Sequence, residues 1–384
     1  MSLRPDNDRF KARDADAVMT FGQLCGALSY CSEATLRVFA GQALRHALIS
    51  ALRQEGHAFT DMRFHAWFAG LTTLSDESPR HARDPRSVCS AILTELANWD
   101  DAIVSQLAEQ LKTALLAPLD SSGHNANAEA HRIVEAARML VRGLPSADSP
   151  APLSDLAALH DALASSIDFA PSERTTTRLA FANRQFDVAI PAPQAPLWAI
   201  DMLAGRHLCD GQGLRIAFPM PGLARLEAFG MTDGLRRRQS GAPGLLEAAG
   251  KMLSQLRSAH ALASFVHAPV PGRRGSSRAP MLMELLAGFG PLRSRQIETM
   301  LGASRLGVTG MIESWEAQGA IGRTTISGSH LLELRATPRD LQRPTAPEPS
   351  AFSAGALDDY EASLEAIDRL LARRNNLPPV DDED

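Results

Sequence analysis

The chain has 384 residues, 45% of them hydrophobic and only 5% aromatic, with a formal net charge of −5. It is long enough for two or three domains with real cores, and its balance of charge excludes a polycation, so any nucleic-acid surface must be local. The four cysteines, Cys25, Cys31, Cys89 and Cys209, form no CxxC pair, which excludes a zinc ribbon and a dithiol redox motif.

Taken in order, residues 1–17 read as a charged, loose lead-in. Met1–Arg13 lacks the apolar core of a signal peptide, and no stretch approaches the roughly 20 apolar residues of a membrane span. These features predict a cytoplasmic protein. Helices follow. Phe21, Leu24, Cys25 and Leu28 share one face, and 34–53 carries Leu36, Phe39, Leu44, Leu48 and Leu52 at helical spacing. Residues 59–71 hold the aromatic cluster Phe64, Trp67 and Phe68, which reads as core. The spacing predicts one long helix over 88–116, a turn at 121–127 and a helix over 128–141. The Pro- and Ser-rich stretch 143–154 reads as a linker, dividing an N-terminal helical region (1–142) from a second (155–270).

In the second region, 155–167 is helical. Residues 175–190 hold a hairpin in which Phe186, Val188 and Ile190 alternate, and 197–207 is helical again. A segment over 223–229 forms a turn or two of helix. A long helix runs over 243–265, with Pro243 in its first turn, where no backbone donor is needed. Residues 271–279 are a basic linker.

The stretch that organises the chain is 280–337. Met281, Leu282, Leu285, Leu286 and Phe289 give a first helix its apolar face, and Gly290-Pro291 stops it. Ser294 caps a second helix with Ile297, Met300 and Leu301 inside, and Gly302 ends it in a left-handed conformation. Ser304 caps a third helix, about 305–318, with Val308, Met311, Ile312 and Trp315 inward. Two strands, 321–325 and 330–334, then flank Ser327-Gly328-Ser329, with Leu332 and Leu334 alternating as in a half-buried strand. Two short helices joined by a glycine-bearing turn, a third helix and a hairpin make a winged helix-turn-helix, a DNA-binding unit.

On that reading the third helix enters the major groove of double-stranded DNA. Arg305 reads guanine through its planar fork, and Ser304 and Thr309 contact phosphate or base. Arg323 and Ser329 reach flanking phosphate from the wing. Arg273, Arg274 and Arg278 form an arm along the backbone or in the minor groove. From Pro271 to Asp340 there are nine arginines, no lysines and six acids, 9 − 6 = +3, a modest footprint. The competing reading is a three-helix unit used for protein contacts.

Beyond a Pro-bearing linker (338–353), the segment 354–376 is an amphipathic helix, and 377–384 is an acidic tail. Leu357, Tyr360, Leu364, Ile367 and Leu371 form an a/d seam of about two heptads. That seam predicts either a homodimer or docking on its own chain. The fold class expected is therefore mainly α: a multi-helix N-terminal body, a C-terminal winged helix-turn-helix and a terminal amphipathic helix.

Three stretches carry a resemblance: EGHAFTDMRFHAWFAGL (Glu55–Leu71), PLWAIDMLAGRHL (Pro196–Leu208) and GRRGSSRAPMLMELLAGFGPLRSRQIETMLGAS (Gly272–Ser304). The chain resembles an uncharacterised bacterial family, common in rhizobia and often plasmid-borne, whose members join a helical domain of unknown function to a C-terminal helix-turn-helix. The resemblance implies DNA binding and brings no catalytic residue. The plan is also similar to helical enzymes that modify hydroxyl groups with nucleotides. Their His-Pro-Phe-x-x-Gly-Asn-Gly-Arg loop does not occur here.

Other chemical signals are weak. Gly211-Gln212-Gly213 lacks the third glycine of a dinucleotide loop, and there is no Walker A, HExxH or Gly-x-Ser-x-Gly sequence. His57, His65, His124 and His131 lack the tight spacing of a zinc site, and His260 and His267 sit near the end of one helix. Arg236-Arg237-Arg238 reads as a solvated face. No catalytic residue, metal or cofactor is expected. An enzyme with an unfamiliar site in the helical body, or a protein-binding adaptor, are the alternatives to a DNA-binding regulator.

Overall fold

Twelve α-helices and two antiparallel hairpins make up the described residues of the computed structural model: 4–75, 82–118, 123–145, 151–170, 175–181, 184–190, 195–211, 216–225, 234–268 and 278–335. The protein is mainly helical, as its alanine- and leucine-rich periodicity predicts. Among the described residues no helix is long and apolar enough to cross a membrane. The linker 338–353, the seam at Leu357, Tyr360, Leu364, Ile367 and Leu371, and the acidic tail lie outside the described residues.

The N-terminal half departs from expectation at three helix boundaries. Helix α1 spans Arg4–Tyr30, so the charged lead-in is helical rather than loose. Its apolar stripe, Ala17, Phe21, Leu24 and Leu28, is buried, and the polar run simply continues the same helix. The single helix expected over 88–116 is two: α4 (Pro85–Ala97) and α5 (Ala102–Ala114). The apolar period runs through the break, which hides it. Two local hydrogen bonds make it: Asn98 N donates to Glu95 O, and Asp101 Oδ1 accepts from Val104 N at 2.9 Å as the cap of α5. The expected turn at 121–127 is mostly the start of α6 (Gly123–Arg142).

Helix α2 (Glu33–Gln54) is the central element. Ser32 caps it, and α5, α8 (Leu197–Gly211), α9 (Gly234–Val266) and α10 (Ala279–Gly288) all pack against it. Helix α9 also packs on α1 and on α7 (Pro152–Ala164), whose Pro152 opens the helix inside the stretch read as linker. Pro243 lies inside α9 and not in its first turn, because the helix begins nine residues earlier than the apolar pattern indicated. The arginines at 236–238 fall on that early segment, and their side chains are outside the described residues. Strands β1 (Thr175–Phe181) and β2 (Arg184–Ile190) pair antiparallel with Thr175 opposite Ile190.

Two of the stretches that carry the resemblance meet in the core. Trp198 Nε1 of α8 donates to Glu55 Oε1 at 2.6 Å, and Arg83 holds the same carboxylate at 2.9 Å. Asp201 accepts from the backbone of Gly222 (2.8 Å) and Ala224 (2.7 Å) and from Gln54 Nε2 (3.1 Å). Burial still pushes its pKa up to about 6, outweighing those bonds. Glu55 and Asp201 are therefore core struts: each ties α8 to the α2 end of the body.

Candidate nucleic-acid interface

Residues 278–335 contain α10, α11 (Ser294–Leu301), α12 (Arg305–Glu316), β3 (Ile321–Ile326) and β4 (Ser329–Leu334). Their boundaries follow the sequence closely. Gly302 ends α11 in the left-handed region (φ 56°, ψ 37°), where a side chain would be strained. Ser304 caps α12, its Oγ accepting from Gly307 N at 3.2 Å. Ser294 does not cap α11. That position belongs to Arg293, whose backbone N–H donates to Gln296 Oε1 at 2.9 Å. The same Gln296 donates through Nε2 to Ala114 O at 2.7 Å, pinning α11 to the end of α5.

The hairpin closes through Ser327 and Gly328, both at positive φ (48° and 74°), the backbone of a two-residue turn whose twist matches the strands. A third extended residue joins it. Leu292, between α10 and α11, exchanges two backbone hydrogen bonds with Leu332 of β4, at 3.1 and 2.8 Å. The expected alternation along β4 is not observed, because Leu331 and Leu332 are both buried and Leu334 is half-buried. Leu331 packs on Ala66 and Ala69 of the α3 region (α3, Asp61–Phe68), while Leu332, buried on the opposite face, bonds through its backbone to Leu292. The strand is thus covered on both sides.

Helix α12 packs on α10, α11 and β3 through Val308, Ile312 and Trp315, and Trp315 Nε1 donates to Ala279 O at 3.2 Å. Its other face is open to solvent: Arg305, Leu306, Thr309, Gly310, Glu313 and Ser314 are exposed, Leu306 to 84%. By contrast, α10 and α11 are pressed into the body. Arg37 of α2 grips Glu284 of α10 with two hydrogen bonds, at 2.8 and 3.0 Å. Phe289 packs among Phe64, His65 and Phe68 in tilted and edge-on ring contacts. The unit therefore presents α12 outward from a rigid seat.

The residues singled out from sequence divide into three groups. Arg305 and Thr309 stand together on the exposed face of α12, with Ser304 beside them but engaged as the cap. Arg323 and Arg278 are engaged elsewhere. Arg323 forms a two-pronged ion pair with Glu316, with Nη2 to Oε2 at 2.8 Å, and this bond holds the Glu316 carboxyl below its usual pKa. Arg278 Nη1 donates to the carbonyls of Leu301 and Gly302, at 3.1 and 3.4 Å, stitching the turn that precedes α12. Ser329 is half-buried at the hairpin turn. Arg273 and Arg274 lie outside the described residues.

Sequence reading overlooked two residues of this surface. Arg295 on α11 is exposed and, like Arg305, makes no ion pair among the described residues. Leu306 sits one step off the Val308–Ile312–Trp315 stripe, and that offset was the available signal. Gly310, which the helical period already places on the outer face, leaves the middle of that face bare: a Cβ at that position would have nothing within 4 Å. Charge over 278–335 is nearly balanced, six arginines against five glutamates, 6 − 5 = +1. Neither a protein-family model nor a curated protein matches the chain.

Proposed function

We propose that this chain is a cytoplasmic, sequence-specific DNA-binding protein, a transcriptional or plasmid regulator, in which 278–335 is a winged helix-turn-helix and α12 is the recognition helix. The observation that carries the reading is the exposed face of α12. The helix is set by a left-handed glycine turn on α11, backed by the hairpin with its Leu292–Leu332 bridge, and open on its outer face among the described residues. Arg305 takes a guanine edge, Thr309 a neighbouring base or phosphate, and Arg295 the backbone. The bacterial family that the three residue stretches resemble fits the same reading.

Recovering DNA fragments from a random pool with the full chain, and sequencing them, tests it. A recurrent short motif supports sequence-specific binding, and an unenriched pool refutes it. A homodimer through Leu357, Tyr360, Leu364, Ile367 and Leu371 would place two such helices on half-sites about one helical turn apart. The motif would then be palindromic.

Three observations favour a second reading, a protein-binding adaptor. The local charge is only +1, Arg323 is spent on Glu316, and Leu306 offers an apolar contact. Nonspecific DNA affinity should accordingly be low, because among the described residues of 278–335 few unpaired arginines face outward.

A further inference from the structure

A cavity of about 250 Å³ lies between α2 and α5 on one side and α10 and α11 on the other. Its walls are mostly apolar. Leu107 and Phe289 are buried, Leu285 and Ile103 are half-buried, and Gly41 contributes bare backbone. The volume exceeds the roughly 150 Å³ of a dry apolar cavity known to admit benzene, so it has room for a one- or two-ring molecule.

The charged groups at its edge are already matched. Arg37 donates through Nε and Nη2 to Glu284 and through Nη1 to Glu33 at 2.6 Å, and His267 Nε2 lies 2.7 Å from Glu284 Oε1. The exposed Glu33 arm is weakly held, but Glu284 is buried, so an ionic ligand would have to break its pair with Arg37 or enter beside it uncompensated, and either is costly. Two polar groups remain unused. The side-chain amides of Gln106, which is exposed, and Gln110, which is half-buried, stand at the open rim of the cavity and make no hydrogen bond to the protein among the described residues. A ligand site of this kind needs apolar walls and a few polar groups that fix orientation.

We propose that this cavity binds a small, uncharged, mainly apolar molecule that carries a hydrogen-bonding group for Gln106 or Gln110. The site stands independently of what α12 binds. Because its walls come from both the body and the helices that seat α12, an occupant bridges the two.

The probe is N-phenyl-1-naphthylamine, an uncharged fluorophore of suitable size, titrated into the full chain. Its sulfonated relative, 1-anilinonaphthalene-8-sulfonate, serves as the charged comparison. The expected result is saturable binding of the uncharged dye, at least about ten-fold tighter than the anion. Ile103→Trp fills the cavity from α5 and should weaken the dye by about ten-fold or more, whereas Met139→Trp, at an exposed position on α6, should not. If Ile103→Trp does not fold by circular dichroism, Leu285→Phe fills the cavity from α10 with the same expectation. No saturable binding, equal affinity for the two dyes, or undiminished binding in the folded filling variant would overturn the proposal.

Discussion

Gly41 of α2 and Gly288 of α10 meet backbone to backbone: a Cβ on Gly41 would stand 2.7 Å from Gly288 Cα, and a Cβ on Gly288 would stand 2.8 Å from Val38 O. This crossing seats the first helix of the candidate interface on the central helix of the body. Neither obstacle is the tip of a flexible side chain, so the helices themselves must move to admit a methyl group. Gly41→Ala and Gly288→Ala should each destabilise the protein by about 1–3 kcal/mol, although alanine is the better helix former. Gly250→Ala on α9, where nothing lies within 4 Å, should instead stabilise by about 0.5–1 kcal/mol. Denaturant unfolding of the three variants checks the sign in each case.

Gly310 has the same open surroundings but lies on the face assigned to DNA. Gly310→Ala should raise stability by about 0.5–1 kcal/mol, the usual gain in an exposed helix interior. It should weaken specific DNA binding at the same time, because on the proposed reading the added methyl group would stand where a groove edge approaches. Stability and affinity moving together in this variant would remove Gly310 from the interface.

The sequence was most legible where punctuation and period agree. Gly302, Ser304 and the Val308–Ile312–Trp315 stripe fixed α12 to within two residues of its observed end, because each mark has one local cause. It was least legible where tertiary contact decides. Nothing in 88–116 breaks the apolar period at Asn98–Asp101, so two helices read as one. The burial of Leu331 depends on Ala66 and Ala69, more than 250 positions away, and the alternation expected of β4 was lost to that contact. At the candidate site, the helical period placed Arg305 and Thr309 together on the face opposite Val308, Ile312 and Trp315. It could not foresee that Glu316 would occupy Arg323, or that Arg278 would serve the α11 carbonyls.

Leu306 is exposed beside Arg305, where burial gives it no structural reason to be apolar. In a major groove its natural partner is the C5-methyl of thymine. Replacing single thymines of the selected site by deoxyuridine should weaken wild-type binding at one position by about 1 kcal/mol and leave Leu306→Ala insensitive at that position. A wild-type protein indifferent to every such replacement would exclude this contact.

His65 gives a pH test of how the seat is built. Burial, and secondarily the charge of Arg45, lower its pKa to about 3, against a hydrogen bond with the Pro291 backbone that favours the charged form. The folded protein thus keeps His65 neutral where the unfolded chain protonates it, near pH 6.5. Its contribution is fully present above that value and is lost as pH falls from there toward 3, at up to about 1.4 kcal/mol per pH unit. His65→Phe keeps the aromatic packing against Phe289 and has no proton to bind. The stability difference between wild type and His65→Phe should therefore shift in favour of the variant between pH 7.5 and 5.5. A difference independent of pH across denaturant melts would show that the ring protonates freely in the folded state.

The central claim is that α12 reads DNA sequence, and its most direct test is the ratio of affinities for a selected site and a scrambled duplex, measured by gel shift at one fixed salt concentration with wild type and Arg305→Ala. The account predicts a large ratio for wild type. It predicts a loss of about 1–3 kcal/mol for Arg305→Ala on the selected site, with the scrambled duplex little changed and one base preference relaxed. Equal affinity of the wild-type chain for both duplexes, or an Arg305→Ala variant that keeps the full ratio, would contradict it.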